Sequence, residues 1–194
     1  MSIWITSDTH FGHDREFMYG KRGFKNIIDH DEQIVKNWNE IIDVDDDVYL
    51  LGDCFLNDNI NGIDRMRQLN GKLHIMIGNH DTKVKIDLYS KLFNVVSIGY
   101  ADIIKYRKHS FYLSHYPTLT ANHDDKPTFQ HLINLCGHSH TTDKWLHWDL
   151  GYCYHCELDA HDNRPISIEE IIKDIKEKRN ANQWETSAGL YSPH

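Results

Sequence analysis

The sequence predicts an α/β fold of layered sheets and helices, on three observations. Short apolar runs of strand length recur along the 194 residues, stretches with helical spacing lie between some of them, and no repeat, low-complexity tract or Pro/Gly/Ser linker divides the chain. The strand-like runs are residues 3–5, 48–51, 73–77, 111–113 and 132–136. A Lys/Arg/His turn between two apolar stretches predicts a hairpin over 100–114, and residues 152–159 read as one more strand. Ile34, Val35, Trp38, Ile41 and Ile42 recur at helical spacing and predict a helix over 31–42. A second helix begins where Ser167 and Glu170 make an S-x-x-E capping box after Pro165, and its apolar stripe continues through Ile168, Ile171, Ile172 and Ile175. Residues 1–180 are expected to form a single domain and 181–194 an irregular tail.

Composition narrows the function classes. Twenty-one basic against 29 acidic side chains give a formal charge of -8, which opposes binding extended duplex DNA through a broad phosphate-neutralising surface. No apolar stretch approaches the roughly 18 residues of a membrane span, so no membrane partner is expected. The N-terminus lacks the basic and apolar regions of a secretory signal, and the expected location is the cytoplasm, where the four cysteines need no disulfides. Histidine is unusually abundant: there are 15, against 7 phenylalanines and 10 tyrosines, and histidine is both a common metal ligand and an acid/base group.

Each strand-like run stops within a residue or two of metal-ligand types: Asp8 and His10, Asp53, Asn79 with His80 and Asp81, His115, and His138 with His140. In layered α/β folds the loops leaving the carboxyl ends of strands converge on one crevice, so these five loops are expected to build one site. Asp8, His10, Asp53 and His140 suit one metal ion and Asp53, Asn79, His115 and His138 a second, with Asp53 shared. Two divalent ions outweigh two carboxylates and a bridging hydroxide, leaving a net positive charge that attracts phosphate. Mixed nitrogen and oxygen ligation favours transition metals, manganese first, with iron, zinc, nickel or cobalt as alternatives. Such paired ions sit about 3.5–4 Å apart and acidify a bridging water for in-line attack on phosphorus. His80 is left over from the ligand count and is assigned as the general acid for the leaving oxygen.

Taken in order, Asp8-x-His10, Gly52-Asp53, Gly78-Asn79-His80-Asp81, His115 and Gly137-His138-x-His140 resemble the motif set of the calcineurin-like metallophosphoesterases. Asp8-Thr9-His10-Phe11-Gly12-His13, Arg22-Gly23-Phe24, Trp38-Asn39, Asn70-Gly71-Lys72 and Ser114-His115-Tyr116-Pro117 resemble more narrowly a small stand-alone branch from bacteria and their phages. The resemblance covers residues 1 to about 175 and implies a two-sheet β-sandwich flanked by helices, with the metal ligands and the acid His80 as already assigned. It also implies that His13 and Arg22 lie near the mouth as phosphate contacts, with Arg15, Lys21 and Lys72 as weaker candidates. Serine/threonine phosphatases of this superfamily follow Gly-Asp with Asp and a phosphate-supporting Arg, whereas here Cys54-Phe55-Leu56 follows, which argues against a protein phosphatase. Asp81 and Asp58 are the candidates for orienting His80.

The expected substrate is a small phosphoester or nucleotide, with phosphodiester or pyrophosphate cleavage favoured. The alternatives are a nuclease on short single strands, a phosphomonoesterase, and an inactive metal-binding scaffold. Cys153-x-x-Cys156 reads as core rather than zinc or redox chemistry, and Cys54 and Cys136 as packing groups beside the motifs. Residues 45–47, three aspartates, read as a solvated turn, and Trp145 and Trp148 as core or lid packing. His123 and His147 border the expected site loops.

Overall fold

The computed structural model describes residues 1–120, 132–146 and 153–189, so His123, His147 and Trp148 lie outside the described residues. Ten strands form two five-stranded sheets. The first, in spatial order, contains β10 (Ile166–Ser167), β1 (Ile3–Thr6), β2 (Asp47–Leu50), β3 (Lys72–Met76) and β4 (Val95–Gly99); all pairs are parallel except β10 with β1. The second contains β5 (Ala101–Tyr106), β6 (His109–Ser114), β7 (Leu132–Cys136), β9 (Cys153–His155) and β8 (Trp145–Leu146). Here β6–β7 and β7–β9 are parallel, and the hairpin β5–β6 and the short pair β8–β9 are antiparallel. This is the predicted two-sheet sandwich flanked by helices.

Strand alternation explains the layering. On β2, Val48 and Leu50 turn outward into a cluster with Ile34, Val35 and Trp38 of α2 (Ile27–Asn39), Ile63 and Met66 of α3 (Asn59–Arg67), and Tyr89 of α4 (Lys83–Tyr89). Tyr49 and Leu51 face the other way, towards Ile5, Met76, Phe111, Leu113, Ile133, Leu135 and Tyr154 between the sheets. α5 (Ile168–Gly189) sends Ile168, Ile171, Ile172 and Ile175 into this second cluster. A four-residue helix, α1 (Glu16–Tyr19), stands in the loop after β1.

Helix starts follow their caps. Ser167 and Glu170 form the predicted capping box: Ser167 N–H donates to Glu170 Oε2 at 3.1 Å, and Glu170 N–H to Ser167 Oγ at 3.2 Å. α2 begins four residues before the predicted 31 because Asn26 Oδ1 accepts from Asp29 N–H at 2.9 Å, and it closes at Asn39, leaving Ile42 to pack beyond its end. Asp58 caps α3 through Ile60 and Asn61 N–H, both at 3.0 Å. The strand expected over 152–159 is only Cys153–His155 and gives way to a 3-10 turn at Leu158–Ala160.

Two further expectations are corrected. The irregular tail expected over 181–194 is helical as far as Gly189: extending an established helix adds one hydrogen bond per residue, and Ala181, Gln183 and Glu185 are good helix formers. In the aspartate run, Asp46 is buried rather than solvated, accepting from Trp4 Nε1 at 3.0 Å and from Ser2 N–H. Asp46 thus ties the start of β1 to the start of β2. All four cysteines are buried and unpaired. Among the described residues no helix is long and apolar enough to cross a membrane.

Candidate metal centre

Parallel registry aligns the ends of β1, β2 and β3, with Thr6 opposite Leu50 and Leu50 opposite Ile75, so the loops that follow leave side by side. They carry Asp8 and His10, Asp53, and Asn79 with His80. The second sheet adds His115 after β6 and His138 and His140 after β7. Backbone bonds lash the loops together: Asp8 N–H donates to Gly52 O at 3.0 Å, His10 N–H to Asp53 O at 3.1 Å and Gly137 N–H to His115 O at 3.0 Å.

Five of the seven expected ligands hold left-handed backbone: Asp8 (φ 57°), His10 (48°), Asp53 (53°), His138 (74°) and His140 (48°). Non-glycine residues rarely adopt this region, and clusters of them mark functional sites held by their surroundings. Gly52 (φ 90°) is required twice over, since a Cβ there would also stand 2.7 Å from Gly78 N and His115 Nδ1.

The side chains converge with ring nitrogens and side-chain oxygens facing one another. His115 Nδ1 lies 2.8 Å from Leu51 O, and because a carbonyl only accepts, Nδ1 carries the proton and Nε2 presents its lone pair. That lone pair faces Asp53 Oδ2 at 3.6 Å and Asn79 Oδ1 at 2.9 Å. Asn79 Oδ1 also lies 2.9 Å from His138 Nδ1. His140 repeats the logic, its Nδ1 held 3.1 Å from Asp159 Oδ2. Its Nε2 then points at His10 Nε2, 3.1 Å away, and both are 3.6 Å from Asp8 Oδ1. His10 Nε2 is 3.8 Å from Asp53 Oδ2. Asp8 Oδ1 is buried with no hydrogen-bond partner, while Oδ2 accepts from His138 N–H at 2.9 Å. Nitrogen and oxygen donors crowded in this way suit a cation. Ligand atoms of Asp8, His10 and His140 lie within 4.8 Å of one another, as do those of Asp8, Asp53 and His115, so the residue common to both groups is Asp8, whereas Asp53, expected to be shared, falls in the second group.

The electrostatics of Asp8 and His10 suit this donor set. Burial alone would raise the Asp8 carboxyl, but hydrogen bonding and charge from His10, with His140 and His115, hold it well below the usual range. Burial pushes His10 down, favouring the neutral ring that a metal needs.

His80 lies on the open side with its side chain 43% exposed. Its N–H donates to Asp53 Oδ1 at 2.9 Å, its carbonyl accepts from Lys85 Nζ at 2.8 Å, and its Nε2 is 3.9 Å from Asp53 Oδ2. Neither expected partner orients the ring. Asp58 caps α3, and Asp81 turns inward to accept from Gly78 and Asp53 N–H, each at 2.8 Å, and from Tyr89 Oη at 2.6 Å. Asp81 therefore shapes the ligand loops. His13 does stand at the cavity beside His10, with ring centroids 5.4 Å apart, and burial, then the neighbouring His80, His140, Arg15 and Arg22, push its pKa down to about 4.

Arg22 is not at the mouth, which corrects the expectation of a phosphate contact. Its side chain is 1% exposed, and its donors are used internally: Nη2 to Asp159 Oδ2 and to Asp8 O, both at 2.7 Å, and Nη1 near His30 Nε2 at 3.1 Å. A loop carrying strained ligands needs its carbonyls anchored, and the guanidinium does this from behind. Asp159 was missed by sequence reasoning although the strand expected over 152–159 ends on it. Applied once more, the strand-end rule nominates it. Burial would raise the Asp159 carboxyl, but His140 and Arg22 hold it well below the usual range, while Asp159 and Asp8 outweigh burial to raise His140.

Comparison with known proteins agrees with this geometry. The model of the calcineurin-like phosphoesterase superfamily domain matches residues 1–148. The uncharacterized protein MJ1445 of Methanocaldococcus jannaschii is 32% identical over 179 residues, covering 90% of this chain and 91% of that protein. The Gene 66 protein of Mycobacterium phage D29 is 25% identical over 212 residues, covering 91% and 98%. Among solved structures, the protein AQ665 of Aquifex aeolicus superposes with a TM-score of 0.64 at 25% identity, covering 89% of this chain and 98% of that one. With its family model matched over residues 1–148 and its strand-end loops gathered on one crevice, the chain belongs to the calcineurin-like phosphoesterase superfamily.

Proposed function

We propose that the protein is a metal-dependent hydrolase of small phosphoesters or nucleotides, acting on a phosphodiester or pyrophosphate and using two divalent transition-metal ions, manganese first. The observation that carries this reading is the set of ring nitrogens facing the unpartnered Asp8 Oδ1. Asp8, His10, Asp53 and His140 would hold one ion and Asp53, Asn79, His115 and His138 the other. Bound there, the ions supply an acidified water and neutralise charge on the phosphoryl group. His80, exposed beside Asp53 and fixed through its backbone, is free to hand a proton to the departing oxygen. The diester preference is supported by the fate of Arg22. With that guanidinium turned inward, the cavity wall offers, among the described residues, Lys21 but no arginine to match the paired oxygens of a dianionic monoester.

The test uses manganese-loaded protein on bis(4-nitrophenyl) phosphate and on a diester with an alkyl leaving group. Asp53→Asn should lose metal and turnover of both. His80→Ala should keep the metal and lose about a hundredfold or more on the alkyl ester, but far less on the nitrophenyl ester, whose leaving group needs no proton. Equal turnover by wild type and Asp53→Asn on both esters would overturn the proposal.

A further inference from the structure

The cavity in front of His80 is lined by residues of two unlike kinds. It encloses about 450 Å³, within the roughly 300–1,000 Å³ range of small-molecule pockets. Its lining combines His10, His80 and His140 with Phe17, Met18 and Leu56. Met18 is buried and anchors the short α1, whereas its neighbour Phe17 is 70% exposed and meets the His13 ring edge-on, at 5.6 Å between centroids and 90° between planes. A single exposed apolar side chain is ordinary. An exposed aromatic face that shares one cavity with two opposed ring nitrogens and the exposed acid histidine is a different matter, because one ligand can touch both.

We infer that the apolar lining seats a planar aromatic group carried by the phosphoester, in biological terms a nucleobase, with Phe17 as the stacking platform. The inference rests on the reading of the site given above. The phosphoryl group belongs with the polar lining, and whatever hangs from the oxygen that His80 protonates extends into the rest of the same cavity. Every nucleobase offers a flat face to an aromatic ring, so the platform selects for a base without selecting which one. Leu56 and Met18 supply apolar contact of the kind that favours a ring over a hydrated sugar alone.

Calorimetric titration of the manganese-loaded protein with adenosine 5′-monophosphate and with ribose 5-phosphate reads the inference without turnover, since the two ligands share the sugar phosphate and differ at C1, which carries the base in one and a hydroxyl in the other. Wild type should bind the nucleotide about tenfold or more tighter than the sugar phosphate. Phe17→Ala should bring the ratio close to one, and Phe17→Trp should restore it. Equal binding of the two ligands by wild type, no binding of either, or a ratio untouched in Phe17→Ala would overturn the inference. Failure of the reaction reading shows elsewhere, as absent turnover of bis(4-nitrophenyl) phosphate by the same loaded protein.

Discussion

Replacing Asp159 by Asn removes a negative charge from behind His140 while nearly conserving shape, and two separable losses follow. The first is stability. Asp159 accepts from Arg22 Nη2 at 2.7 Å and Nε at 3.3 Å, and it is the guanidinium's only ion partner among the described residues. Breaking a buried pair from one side costs about 3–5 kcal/mol. The carbonyls of Asp8 and Thr9 continue to accept from Arg22, so the expected cost falls at the lower end, near 3 kcal/mol. The second loss is metal affinity. Asp159 fixes the His140 ring with Nε2 inward, and removing such a partner weakens metal binding about 10–100-fold, or about 1.4–2.7 kcal/mol.

Urea unfolding without metal reads the first loss, and manganese titration at neutral pH the second. The pH dependence has a definite sign. The Asp159 carboxyl is depressed in the folded protein below its ordinary value of 3.8, because His140 and Arg22 overcome the opposing effect of burial. Its stabilisation is therefore complete above that value and is lost as pH falls towards the folded one. The deficit of Asp159→Asn should be full at neutral pH and shrink in acid. A variant that is less stable yet binds manganese like wild type would refute the orienting role of Asp159.

Two other substitutions probe the framework. Gly137→Ala would drive a methyl group into Ser7 Oγ and Asp8 Oδ2, so it should cost about 1–3 kcal/mol and weaken manganese binding; wild-type affinity in calorimetry would count against the close approach. Tyr89→Phe removes the 2.6 Å hydrogen bond to the buried Asp81 carboxylate and should cost about 1.5–3 kcal/mol in urea unfolding, and a change under about 0.5 kcal/mol would deny Asp81 its role in holding the Asp53 and Gly78 backbone.

What could be read from the sequence was whatever leaves a periodic or local trace. Strands β1, β2, β3 and β7 announce themselves as apolar runs because at least one face packs against a core, and α5 by its capping box. Strand β4 did not, because Val96 and Ser97 are exposed at a sheet edge and break the apolar pattern. α3 was hidden by its composition: Asn59, Asn61 and Gly62 are poor helix formers, and Gly62 is there because any side chain would collide with the Phe55 ring. The ligand types stand at strand ends and can be grouped from the sequence alone. Asp159 stands at the end of the strand expected over 152–159 and was within reach of the same rule, but Arg22 was not, since an arginine at the mouth and one buried behind the loops look the same in a sequence. Only the fold, which brings residues 22 and 159 within 2.7 Å, tells them apart.

The seven ligand types come from two separate leaves. Asp8, His10, Asp53 and Asn79 hang from the first sheet, and His115, His138 and His140 from the second. A cation seated among them would act as a rivet through both plates, and neither could then slide along the other without tearing a coordinate bond. Loading should then merge the opening of the two leaves into one event, with amide protons of β2 and β7 exchanging at a common rate. Mechanical unity of the sandwich and competence for chemistry would arrive together.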